Sequence, residues 1–166
     1  MNYSSLAAME VIRKHQKSAP VQTIPIAEAL GLSCYRASGW PDTTSGMIVR
    51  DAERGGDSGF AIYVNAEHSK VRRRFTIAHE IAHFVLHRDL IGDGITEDAL
   101  YRSGLSDAVE REANGLAAEI LMPRHLIREA FNNGNRSPEA LAAEFEVSLQ
   151  AMEYRLRNLG LVPLAA

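Results

Sequence analysis

His79 and His83 stand four residues apart with Glu80 beside the first, a spacing that on one α-helix assembles the parts of a metal-dependent hydrolase. At 3.6 residues per turn the two imidazoles lie about 40° apart, close enough to hold one ion. Glu80 lies one position round, about 60° from His83, where its carboxylate flanks the ion and reaches a water without being a ligand. The spacing supplies two ligands and a general base. With six histidines in 166 residues, an H-E-x-x-H arises by chance on the order of once per hundred such chains, so its context has to decide. Phe75, Ile77, Ala78, Ile81, Ala82, Phe84, Val85 and Leu86 make residues 74–87 apolar nearly all round, the pattern of a buried central helix. Two imidazoles and a carboxylate are costly to bury there without a partner, and Zn2+ is the partner that suits them.

A catalytic zinc usually takes three protein ligands and keeps an open position. Metzincin spacing requires glycine at 86 and histidine at 89; the chain has Leu86 and Asp89, which excludes that class. His87 continues the row but drifts to about 80° from His79, two turns on, and reads as a core residue or an outer partner. Residues 107–122 offer the better candidate: Ala113, Leu116, Ala117, Ile120 and Leu121 mark a helical stripe that stops at Pro123, with Ser106 as N-cap. Glu110 falls on the inward side with Ala113, Asn114, Ala117 and Leu121. Glu112 points about 200° away and reads as an acid that favours the positive end of the helix. Glu110 is therefore the expected third ligand, and Asn114, one turn on, the expected outer partner of a zinc histidine.

The run Arg-Arg-Phe-Thr-Ile-Ala-His-Glu-Ile-Ala-His at 73–83, followed by Glu-Arg-Glu-Ala-Asn-Gly-Leu-Ala-Ala-Glu-Ile-Leu-Met-Pro at 110–123, resembles the ImmA/IrrE family of bacterial and phage-associated zinc metallopeptidases. The resemblance extends over most of the chain, and its second motif is far more specific than its first. It implies a zincin-like fold, zinc held by His79, His83 and Glu110, and Glu80 as catalytic base. It also implies a protein substrate, specifically a helix-turn-helix repressor or antitoxin. Better-known members append a sensor-like C-terminal domain; nothing after Leu164 encodes one, so regulation is expected from elsewhere.

The remaining sequence bounds this reading. A single cysteine, Cys34, excludes intramolecular disulfides and Cys-rich zinc modules, and reads as a small buried residue. The start lacks a signal sequence and no stretch approaches the roughly 18 apolar residues of a membrane span, so a cytoplasmic protein without membrane contact is expected. A net charge of −3 gives no general footprint for nucleic acid. Arg72, Arg73 and Arg74 fan out at 100° steps and read as solvated arginines, with Arg72 the one able to reach substrate.

The elements that must position the site follow from periodicity and turn signals. Residues 4–17 read as an amphipathic helix and 25–30 as a second, closed by Gly31; 32–36, 46–50 and 60–65 read as strands of a small sheet beside the zinc helix. Residues 90–106 form a polar loop bordering the cleft, where Tyr101 and Arg102 are the candidates for stabilising an oxyanion. Residues 137–160 resemble a helix-turn-helix, with Ser148 capping its second helix. Its turn carries Glu146 where glycine is usual, and four acids face two bases, Arg155 and Arg157. A helical pair for packing or protein docking is therefore favoured over a DNA reader, with Met152 and Leu156 either marking the contact or packing inward.

The expected architecture is α+β: a zinc metallopeptidase domain over 1–132 with a central helix beside a small sheet, and a helix-turn-helix-like subdomain over 133–166. The expected function is zinc-dependent endopeptidase activity. The alternatives are a regulatory module or toxin-antitoxin component that binds a repressor or DNA without cutting, against which Glu80 counts, since a purely structural site gains nothing from a base.

Overall fold

The computed structural model describes residues 3–91 and 106–161. Its central element is a helix at Lys70–Leu86, which follows α1 (Tyr3–Lys14), α2 (Thr23–Ala29), β1 (Leu32–Ala37), β2 (Gly46–Arg50) and β3 (Phe60–Asn65), and is therefore α3. A 3-10 turn at Arg88–Leu90 ends that half; α4 (Ser106–Leu121), α5 (Arg124–Asn132), α6 (Pro138–Phe145) and α7 (Leu149–Asn158) follow. The chain is α+β, as expected.

Helix α3 begins four residues before its apolar pattern does, because Ser69 caps it: the Ser69 hydroxyl accepts from the backbone N–H of Arg72 at 3.3 Å. Beyond that first polar turn Ile77, Ala78, Ile81, Ala82, Phe84 and Val85 are buried. The helix packs most extensively on α4 and also meets β2, β3, α1 and α2. Phe84 sets its ring edge-on to Phe60 of β3, with centroids 5.4 Å apart.

The strands lie where the turn signals put them, in the order β1-β3-β2. β3 pairs parallel with β1 and antiparallel with β2. Its buried run Phe60, Ala61, Ile62 and Val64 suits a central strand covered on both faces. β2 is an edge strand, and among the described residues its outer side carries no sheet partner.

Helix α5 goes beyond the sequence reading, which stopped at Pro123; its signal was the spacing of Leu126, Ile127 and Ala130, all buried. The C-terminal pair, α6 and α7, turns at Glu146 in the left-handed region with φ 51°. Ser148 caps α7 as expected, accepting from Ala151 N–H at 3.1 Å. Leu141, Phe145, Met152 and Leu156 are buried in the same core cluster as the residues of α3. Met152 and Leu156 thus pack inward and mark no exposed contact.

Two arginines correct the sequence reading. Arg74 is buried, not solvated: it donates to the carbonyls of Val21 at 2.8 Å, Glu146 at 3.2 Å and Phe145 at 3.4 Å, and pairs with the Glu146 carboxylate at 3.5 Å. Lys70 joins the same carboxylate at 2.8 Å. These bonds explain why a glutamate occupies the left-handed turn position that favours glycine. Arg155, one of the two bases considered for DNA, is buried against the Met122 carbonyl at 2.9 Å and the Glu119 carboxylate. Replacing Arg74 by Met should lower unfolding free energy by about 2–4 kcal/mol, because three carbonyls, two of them buried, lose this donor at once. Chemical denaturation checks this, and a change below about 1 kcal/mol would show that the clasp is not structural.

Candidate metal centre

Helices α3 and α4 face each other so that His79, His83 and Glu110 each offer one ligand atom, all within 4.8 Å of one another. His79 Nε2 lies 3.1 Å from Glu110 Oε2, His83 Nε2 lies 3.1 Å from Glu110 Oε1, and the two Nε2 atoms are 3.0 Å apart. Two ligand atoms each 2.0–2.1 Å from one tetrahedral zinc stand about 3.3 Å apart, close to the spacing of the two Nε2 atoms and of each Nε2 from its nearer Glu110 oxygen. The residues fit a metal.

The three groups are also coupled electrostatically. Hydrogen bonds from His79 and then His83 hold the Glu110 carboxyl well below the usual carboxylate range. Burial pulls the His79 imidazole down, but the Glu110 hydrogen bond and the Glu80 and Glu110 charges outweigh it and leave its pKa raised. Each histidine is also held from behind. His79 Nδ1 meets Asn114 Oδ1 at 3.0 Å, and Phe75 stacks on the same ring at 6.4 Å between centroids. His83 Nδ1 meets His87 Nδ1 at 3.2 Å.

Glu80 is 5% exposed and lines a cavity of about 20 Å³ together with Gly46, Met47, Ile48, His79, His83 and Glu110. That volume admits one water. Gly46, at the start of β2, was not singled out by its sequence. A Cβ there would stand 2.4 Å from Thr76 Cγ2, 2.9 Å from the Tyr63 carbonyl and 3.6 Å from Glu80 Oε1. Only glycine lets the edge strand lie this close to the base, and no local pattern in the sequence signals it.

Of the other residues considered, Glu112 differs from its reading as a helix-end charge, since Oε2 reaches His87 Nε2 at 2.8 Å. Arg72 turns to the segment before β2, donating to the Asp42 carbonyl and the Ser45 hydroxyl at 3.3 Å each. Burial pushes the Cys34 thiol up to about 12, so it is no nucleophile near neutral pH. Tyr101 and Arg102 lie outside the described residues.

Both motifs, β2 and α4 fall within residues 46–157, about two thirds of the chain, and that segment matches a peptidase family described as the IrrE N-terminal-like domain. The chain belongs to this family. The radiation response metalloprotease IrrE of Deinococcus radiodurans is 36% identical over 108 residues, covering 62% of this chain and 32% of that protein. The metallopeptidase ImmA of Bacillus subtilis is 29% identical over 89 residues, covering 53% of this chain and 51% of that one. The chain thus spans about a third to a half of these relatives. A solved structure, a Mycobacterium tuberculosis transcriptional regulator, shares the fold with a TM-score of 0.59 over 94% of this chain and 47% of that chain, at 19% identity. No helix among the described residues is long and apolar enough to cross a membrane. A metallopeptidase family calls for a metal ion, and His79, His83 and Glu110 are the residues that fit it.

Two outcomes test the geometry. Glu110→Gln should weaken metal binding by more than about a hundredfold, since loss of a charged ligand should exceed the cost of losing an outer partner; chelator competition measures it. Gly46→Ala should cost about 1–3 kcal/mol by overpacking, and adding Thr76→Ser should recover part of that by removing the clashing methyl. Thermal melts that show no loss, or no recovery, would contradict the close approach.

Proposed function

We propose that this chain is a zinc-dependent metalloendopeptidase acting on a protein substrate. The observation that carries this reading is Glu80 beside a water-sized cavity that also meets His79, His83 and Glu110. Ligands alone make a structural site, whereas ligands with a non-ligating carboxylate facing a space for water make a hydrolytic one. Zn2+, when bound, supplies the Lewis acidity that polarises the scissile carbonyl and acidifies a water. Glu80 takes the proton from that water and returns it to the departing amine. Asn114 and His87 keep the rings of His79 and His83 in the ligating orientation.

The outer edge of β2 gives an extended substrate a row of backbone donors and acceptors beside the cavity, and Met47, Ile48 and Val109 give it an apolar wall. The catalytic machinery belongs to residues 1–132. Residues 133–166 act as a helix-turn-helix-like subdomain that packs or docks protein and leaves duplex DNA alone; the burial of Arg155 supports this, since it removes one of the three bases in the segment, Arg136, Arg155 and Arg157. The resemblance carried by residues 73–83 and 110–123 suggests that the substrate is a helix-turn-helix repressor or antitoxin.

Incubation with the helix-turn-helix protein encoded nearby, followed by mass-spectrometric mapping of fragments, is the test. Glu80→Gln should keep one zinc and the parental melting temperature yet lose about 10²–10⁴ in cleavage rate. Undiminished cleavage by that variant would refute the role of Glu80, and a repressor bound but never cut by the parent would favour the binding module.

A further inference from the structure

A third histidine follows on the row of His79 and His83, and what holds it in turn, Glu112, has no part in the proposed reaction. His87 is the C-cap of α3; its N–H still bonds the His83 carbonyl at 2.7 Å, but its backbone has left the helix at φ −128° and ψ 26°. The residue is 9% exposed and its ring touches two polar groups, His83 Nδ1 at 3.2 Å and Glu112 Oε2 at 2.8 Å. His87 lines the same cavity as the three candidate ligands, but both of its ring nitrogens are taken by His83 and Glu112, so it is not a fourth ligand.

The atoms on this line admit one assignment of protons. His83 turns Nε2 to the metal triangle, so as a ligand it carries its proton on Nδ1. The contact between the two Nδ1 atoms holds one proton, and because His83 donates it, His87 Nδ1 accepts. A neutral His87 then carries its own proton on Nε2 and donates it to the Glu112 carboxylate. The opposite assignment, with His87 donating from Nδ1, would put the His83 proton on Nε2, where it blocks the metal.

We infer that Glu112 and His87 are positioning residues that fix His83 in its metal-binding tautomer. The inference rests on the proposal that His83 is a ligand. It gives the two histidines unlike supports: His79 is held by the neutral amide of Asn114, and His83 by an imidazole backed by a carboxylate. Glu112 acts through His87, with no contact to substrate or ion. Its own side chain is 66% exposed, so its replacement leaves the core untouched.

The test compares zinc affinity and histidine tautomers in the parent, Glu112→Leu and Glu112→Gln. Chelator competition should show zinc bound about 10- to 100-fold more weakly by Glu112→Leu, with Glu112→Gln close to the parent because its amide oxygen still accepts from His87. Nitrogen-15 NMR of the zinc-loaded parent should find the His87 proton on Nε2, and a mixture of tautomers in Glu112→Leu; a packing role would not move that signal. Parental zinc affinity in Glu112→Leu, or a His87 proton on Nδ1 in the loaded parent, would overturn the inference while leaving the protease reading intact. A parent that binds no zinc would overturn the metal reading, and this inference with it.

Discussion

One carboxylate joins the two helices of the site: Glu110 of α4 sets its oxygens 3.1 Å from an imidazole nitrogen of each α3 histidine. This bridge forms only if α3 and α4 pack closely and in one register. The sequence meets that demand with small residues beside the functional ones. Ala78 and Ala82 lie within a turn of His79 and His83, and Ala113 and Ala117 within a turn of Glu110 and Asn114. All four alanines are fully buried. Short side chains on facing helices permit the low end of the usual interaxial distance of about 8–10 Å, and only there can a glutamate touch both rings.

The groups around that bridge are held from outside it. Asn114 and His87 fix the backs of the rings, while Gly46 lets β2 settle against Thr76 and Glu80. The N-terminal end of α3 is anchored elsewhere, where Lys70 and Arg74 clasp the α6–α7 turn at Glu146. The C-terminal helices thus share the core of α3 and brace the same helix that carries the histidines. Preorganisation of this kind lets a site meet its ion and substrate with little rearrangement.

Much of this was legible in the sequence, for physical reasons that differ by element. The strands and the two site helices carry strong periodicity bounded by turn residues, and the helical wheel separates Glu110 from Glu112 because an inward-facing position is a property of one helix alone. The parallel pairing of β1 with β3, the approach of Gly46 to Thr76 and the burial of Arg74 are properties of elements distant in the chain, and no local pattern encodes them. Glu112 shows the limit of the wheel. Its Cα direction points off the site, yet a three-bond side chain reaches round to His87. Arg155 shows the limit of counting charges, since a base in a helix-turn-helix-like segment can be spent on Glu119 and a backbone carbonyl.

This arrangement of groups calls for one metal ion held between α3 and α4. Crystals of the zinc-loaded protein, measured on both sides of the zinc absorption edge, test it most directly. One anomalous peak per chain is expected, about 2.0–2.2 Å from His79 Nε2, His83 Nε2 and a Glu110 oxygen, with Glu80 outside bonding distance. A peak bound by His87 and Glu112, or no peak at the triangle, would contradict it.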